Sequence, residues 1–164
     1  MRFGPPVAVP VGVLLPRASP LARPREVALA DLAGLDLVAA PRSTAPGWYD
    51  HVLDVCRRHG FTPGRVRPAS NPEFIFGLLL SGGAVALEPE SLARREPRIG
   101  WRPLAGQPLV KRTAAAWPGR SAHPAAPMFG QLAAEVLATV EPTPPAAVAP
   151  SARPWPVLFD ATSD

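Results

Sequence analysis

The sequence predicts an α/β fold with a mostly parallel sheet, and three observations carry that expectation. Residues 37–89 read as strand, helix, strand, helix, strand with almost no slack between the elements. The strand at Leu37-Val38-Ala39-Ala40 has the small and branched apolar composition of a strand buried on both faces. The intervening helices carry start or stop signals at nearly every boundary, and alternating strands and helices build parallel units.

Taken in order, Val7 to Leu15 is apolar and β-rich. Pro10 within it predicts either an edge strand or a strand that begins at Val11. Residues 16–25 form a loop. Residues 26–34 predict a short helix with Leu29 and Leu32 on one face and Gly34 as its stop. The next helix follows the strand at residues 37–40. Ser43 or Thr44 is available as its N-cap, Pro46 lies in its first turn, and Gly60 follows its end. Asp50 lies near its positive end and Arg57, Arg58 and His59 near its negative end. Trp48, Val52, Val55, Cys56 and His59 fall on one stripe at helical spacing.

A short strand around Val66 leads to a second helix capped by Asn71, with Phe74, Ile75, Leu78 and Leu79 facing inward. Gly82 and Gly83 end it and feed a strand over residues 84–87. A short helix at residues 90–95 precedes strands at 99–104 and 112–117. The last helix covers about residues 123–140, with Met128, Leu132, Val136 and Val140 on one face. Beyond Glu141 the proline-rich run predicts an extended, disordered tail.

Composition narrows the function. A chain of 164 residues that is 47% hydrophobic and 18% charged is long enough for one domain with a real core. The net charge of +4 invites a nucleic-acid reading. The arginines nevertheless stand as singles and pairs, with no stripe interleaved with aromatics, and a solvated surface explains them better. One cysteine, Cys56, allows no internal disulfide and fits a reducing compartment. Pro5, Pro6 and Pro10 break up any signal-peptide layout, and no apolar run reaches the length of a membrane span, so a cytoplasmic protein is expected.

The best candidate site is the turn and helix start at residues 43–48. The N–H groups of Gly47, Trp48 and Tyr49, with the hydroxyls of Ser43 and Thr44, would hold a carboxylate against the helix dipole. Gly47 would let a ligand approach the backbone, and Trp48 would wall an organic body. The alternative is that Ser43 and Thr44 only cap the helix and Trp48 only packs. Ser81-Gly82-Gly83 lies at a helix C-terminus, where carbonyls repel anions, and reads as a tight turn. Cys56 falls on the apolar stripe, with no third group to complete a catalytic set. His51, His59 and His123 lack metal-ligand spacing. No enzyme activity, metal or cofactor is expected.

Five segments together resemble the effector-binding domain of LysR-type transcriptional regulators. They are VGVLLPRASPLA (with Ser19 where the family usually has His), VALADLAGLDLVAAP, HVLDVCRRHGF, FGLLLSGGAVALEPESLA, and RTAAAWP with the final helix. The resemblance covers about residues 11–140. It implies a fold like type 2 periplasmic binding proteins, with two α/β subdomains joined by crossing strands and an effector between them. Residues 1–36 would be a remnant of the first subdomain, including the strand at residues 11–15. Residues 37–110 would be a complete second subdomain, 111–140 a return strand and closing helix, and 141–164 the tail. The crossing strands would fall near residues 35–39 and 110–116.

The family's effector contacts would map to Pro46, Gly47 and Trp48, with Ser43 and Thr44 beside them. The opposing half of the cleft would be missing. Ala84 and Glu88 depart from the family pattern and read as local drift. The resemblance thus implies a truncated regulator fragment without the winged helix-turn-helix, which makes no direct nucleic-acid or membrane contact. Its partner would be a small organic acid effector, aromatic or dicarboxylic. Two alternatives are a module that pairs with a full-length paralogue, as a homo- or hetero-oligomer, and a free-standing small-molecule binding protein of the same fold.

Overall fold

The computed structural model describes residues 1–120 and 123–140. Three strands open the chain, β1 (Arg2–Phe3), β2 (Val7–Pro10) and β3 (Gly12–Pro16), followed by single 3-10 turns at Pro20–Ala22 and Leu29–Leu32. Then come β4 (Asp36–Ala39), α1 (Pro46–Arg58), β5 (Val66–Pro68), α2 (Pro72–Leu80), β6 (Ala84–Glu88), α3 (Glu90–Ala93) and β7 (Ile99–Pro103). The chain closes with β8 (Val110–Thr113), β9 (Ala116–Trp117) and α4 (Ala126–Val140). The expectation for residues 141–164 lies outside the described residues.

The main sheet has the order β5-β4-β6-β3-β7. It is mixed where a mostly parallel one was expected: β4 runs parallel to β5 and β6, but β3 runs antiparallel to both β6 and β7. The strand at residues 11–15, expected to be a remnant apart from residues 37–110, is therefore an interior member of their sheet. The crossing strand expected at residues 35–39 is corrected as well, because β4 lies inside the sheet between β5 and β6. The partner of β8 is β2, which pairs antiparallel with it from Val7↔Thr113 to Pro10↔Val110. Pro10 ends this ribbon, and the chain passes through Val11 straight into β3. The expected strand at 112–117 is split, its second part pairing with β1.

Side-chain alternation distributes the core over both sheet faces. Val11, Val13, Leu15, Leu37, Val85 and Leu87 pack with Val52, Val55 and Cys56 of α1 and with the 3-10 turn residues Leu29 and Leu32. Leu14, Val38, Ala84 and Ala86 pack with Ile75, Phe76 and Leu79 of α2. The result is three layers, helix over sheet over helix. The expected helix at residues 26–34 is a single 3-10 turn, in which Asp31 accepts a hydrogen bond from the Ala28 N–H at 3.1 Å.

On α2 the inward face is Ile75, Phe76 and Leu79, whereas Phe74, expected to face inward, is 59% exposed. Asn71 caps α2 as expected, its Oδ1 accepting from the Phe74 N–H. His59, placed on the apolar stripe of α1, lies past the end of the helix and is exposed. On α4, Met128, Leu132 and Val136, read as one face, are exposed. The helix instead seats its small residue Gly130 against Gly4 and the Trp117 ring.

At Gly12 the indole of Trp101 and the Arg102 carbonyl occupy the space a Cβ would need. The same indole donates its Nε1–H to the Glu88 carbonyl at 2.9 Å. At the other end of the sheet, Asp36 accepts a hydrogen bond from Arg67 Nε at 2.7 Å, joining β4 to β5.

Gly12→Ala should destabilise the chain by about 3 kcal/mol, as expected for overpacking against backbone. Leu14→Ala should lose about 3 kcal/mol through a cavity on the same face of the sheet. Urea unfolding curves of the two variants check both values.

Candidate functional site

A cavity of about 590 Å³ opens at the carboxyl ends of β4 and β6, beside the start of α1. Ligands of open α/β sheets bind at such strand ends. Leu87 and Glu88 bring β6 to it, and the end of β4 continues into it through Ala39, Ala40 and Pro41. Thr44, Trp48, His51 and Val52 line it from the α1 side, and Gln107, Pro108, Val110, Lys111 and Arg112 contribute the remaining wall. That wall exists because β2 holds β8 alongside the sheet.

The α1 start is fixed by an ion pair and a turn. Arg42 donates to both oxygens of Asp50, from Nε at 2.8 Å and from Nη2 at 2.7 Å. The Thr44 N–H donates to the Pro41 carbonyl at 2.9 Å. Ala45 is the N-cap residue, and no side chain caps the helix, so neither Ser43 nor Thr44 fills the capping role open to them. The Gly47 and Trp48 N–H groups thus have no carbonyl partner within the helix.

The structure separates the residues of the sequence-based site. Thr44 and Trp48 line the cavity, while Ser43, Pro46 and Gly47 are outside its lining. Gly47 has no heavy atom within 4 Å of a built Cβ, so it faces open space. Helical geometry explains part of the split: Trp48, His51 and Val52 recur at three- and four-residue steps of α1 and Gly47 lies about 100° away from Trp48, whereas Thr44 reaches the cavity from the turn before the helix. The rings of Trp48 and His51 are 5.8 Å apart and tilted by 40°.

Sequence reading missed Glu88, Lys111, Arg112 and Gln107. A signal was present for Glu88, which ends the apolar run Ala84-Val85-Ala86-Leu87 at a parallel strand's carboxyl end. Read in the sequence as local drift, it lies in the lining. Burial pushes the Glu88 carboxyl above its ordinary value, and the nearby Lys111 charge partly opposes this. Burial pushes the His51 imidazole down, with the Arg58 charge acting in the same sense and Asp54 against it. Gln107 adopts a left-handed φ of 46°, uncommon for a side chain other than glycine.

Cys56 lies in the core with no exposed surface, and burial pushes its thiol up to about 11. It stays protonated at neutral pH and is a poor nucleophile. Among the described residues no group of His, Cys, Asp and Glu could hold a metal ion, and no helix is long and apolar enough to cross a membrane.

The raised Glu88 carboxyl has a signed consequence. The folded chain binds this proton more tightly than the unfolded one, so stability falls as pH rises from the ordinary 4.5 through the higher folded value. Glu88→Gln should therefore raise Tm at neutral pH, and the gain should disappear below about pH 4.5, where both states are protonated. Thermal unfolding of both proteins across that range checks the sign.

Comparison with known proteins places this geometry. The model of the LysR substrate binding domain family matches residues 5–138. The HTH-type transcriptional regulator BudR of Raoultella terrigena is 33% identical over 109 residues, which cover 66% of this chain and 38% of BudR. The HTH-type regulator YnfL of Escherichia coli K12, itself uncharacterised, is 30% identical over 110 residues, covering 66% of this chain and 37% of YnfL. The chain thus spans well under half the length of these relatives.

Among solved structures, the effector-binding domain of BenM with its effector benzoate superposes with a TM-score of 0.62 at 18% identity, over 85% of this chain and 64% of that one. The LysR-family regulator CbnR gives 0.62 at 21% identity, over 76% of this chain and 44% of its own. These likenesses show the fold, that of type 2 periplasmic binding proteins, and the match over residues 5–138 shows the family. The chain belongs to the LysR substrate-binding domain family.

Proposed function

We propose that this chain is the effector-sensing part of a LysR-type transcriptional regulator, and that the cavity at the ends of β4 and β6 binds a small organic carboxylate. The observation that carries this reading is the meeting of three features in one concave space. Thr44, Ala45 and Trp48 bring the surroundings of the uncapped α1 start to the cavity, Lys111 and Arg112 line it with positive charge, and Trp48 and Leu87 give it apolar walls. A helix N-terminus with free N–H groups favours anions, and cationic side chains at the same cavity add to that field. The benzoate complex of BenM, a similar fold, supports the ligand class.

In this reading the five-stranded sheet with α1, α2 and α3 is the second subdomain. The β2–β8 ribbon is the crossing element, and β1, β9 and α4 belong to the side of the first subdomain. Lys111 and Arg112 lie on the crossing ribbon itself, so a ligand held between them and α1 would bias how the two sides are disposed. Effector control of a regulator then follows as a shift of population between such arrangements. DNA contact is assigned to none of the described residues, and the site of action is the cytoplasm.

A second reading, association with another copy or with a full-length relative, is favoured by one observation. Met128, Phe129, Leu132 and Val136 of α4 are 61%, 68%, 53% and 61% exposed and form a contiguous apolar face. Sedimentation of the full chain should show concentration-dependent association that Leu132→Glu weakens.

For the binding reading, a thermal-shift screen with benzoate and other small carboxylates should raise Tm for at least one compound. Trp48→Ala should weaken that compound about ten-fold or more, through loss of about 1–3 kcal/mol of apolar contact. Lys111→Ala should weaken it less, and less still at high salt. A screen in which no carboxylate shifts Tm would refute the reading.

A further inference from the structure

The cavity is not simply an anion trap, because its lining includes an acid. Glu88 lies at the end of β6, where the Trp101 indole fixes its backbone carbonyl. It is half-buried, and among the described residues no side chain or backbone group hydrogen-bonds its carboxyl. Lys111 is close enough to act on it through space. The half-buried carboxylate thus lines the cavity with a negative charge that no donor among the described residues pairs.

The ligand that would satisfy this site follows from its charges. A carboxylate belongs against the uncapped start of α1 and the Lys111–Arg112 side. A second carboxylate on the same ligand would approach Glu88 and meet like charge with little solvent between them. A monocarboxylic acid would avoid that clash but leave Glu88 unpaired. A ligand that also carries an ammonium group would give Glu88 a charge-assisted hydrogen bond, the strongest kind available to it. The remaining lining, from Trp48, Val52, Leu53 and Leu87, asks for an apolar body.

We infer that Glu88 is a specificity-determining residue, and that the cavity takes a zwitterionic amino acid with a large apolar side chain, its ammonium on Glu88 and its carboxylate toward α1 and Lys111. This rests on the carboxylate-binding reading above and narrows it. Aromatic monoacids and dicarboxylic acids, the expected effector class, become the weaker ligands.

Two matched probe sets test it by calorimetric titration of the full chain: L-phenylalanine with hydrocinnamate and phenethylamine, and L-leucine with isocaproate and isopentylamine. Within a set, only the ammonium or only the carboxylate is removed. In at least one set the amino acid should bind about ten-fold or more tightly than either analogue. Glu88→Gln should lower amino-acid affinity to that of the desamino acid and leave the desamino acid's own affinity equal or higher. Circular dichroism confirms that the variant is folded, and the wild-type comparison stands without it.

If the desamino acids bind as tightly as the amino acids and Glu88→Gln changes neither, the selectivity for an ammonium is overturned while the carboxylate site stands. If the amines alone bind, or no probe binds, the amino-acid assignment and the carboxylate reading both fail for these probes. In that last case, a Tm rise with benzoate would restore the carboxylate site alone.

Discussion

The packing of the Trp101 indole over Gly12 is the contact on which the rest of the structure depends. β3 is an interior strand, paired on one side with β6 and on the other with β7, and Val13, Leu14 and Leu15 along it are completely or almost completely buried. At its first residue it must pass beneath a ring that leaves no room for a side chain. The indole then reaches across Gly12 and donates to the Glu88 carbonyl, linking β7 to the end of β6 over the strand between them. Sheet order, the position of Glu88 and the inner edge of the cavity are set together by this arrangement. Its geometry leaves little slack, since close-packed interiors relax only partly when a contact is changed.

The ribbon of β2 and β8 supplies the second constraint. Because β2 continues through Val11 into β3, the strand that anchors the sheet also positions β8, and with it Lys111 and Arg112. The Val11 N–H donates to the Leu109 carbonyl at 3.2 Å, which extends the pairing past Pro10 up to the sheet. Opposite, the Arg42–Asp50 pair holds the α1 entry without using any of its free N–H groups. Both partners are exposed, so the pair contributes little to stability, and its role is to orient the turn. Lys111 and Arg112 thus reach the cavity from β8 while Glu88 enters from the end of β6.

Element order was largely legible in the sequence because local signals mark it. Asn71 caps α2, Pro46 and Pro72 open their helices, and Gly34, Gly60, Gly82 and Gly83 adopt the left-handed conformation that ends an element. Strand direction was not legible. The alternation of Val13, Leu14 and Leu15 says only that both faces are buried, and nothing local distinguishes a strand paired antiparallel inside the sheet from one outside it. The error over Phe74 and Phe76 has a similar source, since a nine-residue helix of almost unbroken apolar character has no polar side to fix its phase. At the site, Trp48 was readable from the helical stripe it shares with Val52, and Thr44 from the turn before the helix, but Ser43, Pro46 and Gly47 share only sequence proximity with them. Lys111 and Arg112 lie more than fifty residues from α1, and only the ribbon pairing brings them near. The exposed face of α4 has ordinary amphipathic periodicity, which cannot state whether a partner covers it.

The measurement that bears most directly on the cavity as the functional site is an amide-resonance NMR titration of the full chain with its tightest-binding small carboxylate. Binding in the cavity should perturb Thr44, Trp48, Glu88 and Lys111 together, from three separate segments, and leave α4 unchanged. Perturbations centred instead on the hollow formed by Ser19, Leu21 and Gly82, or on the apolar face of α4, would contradict the assignment.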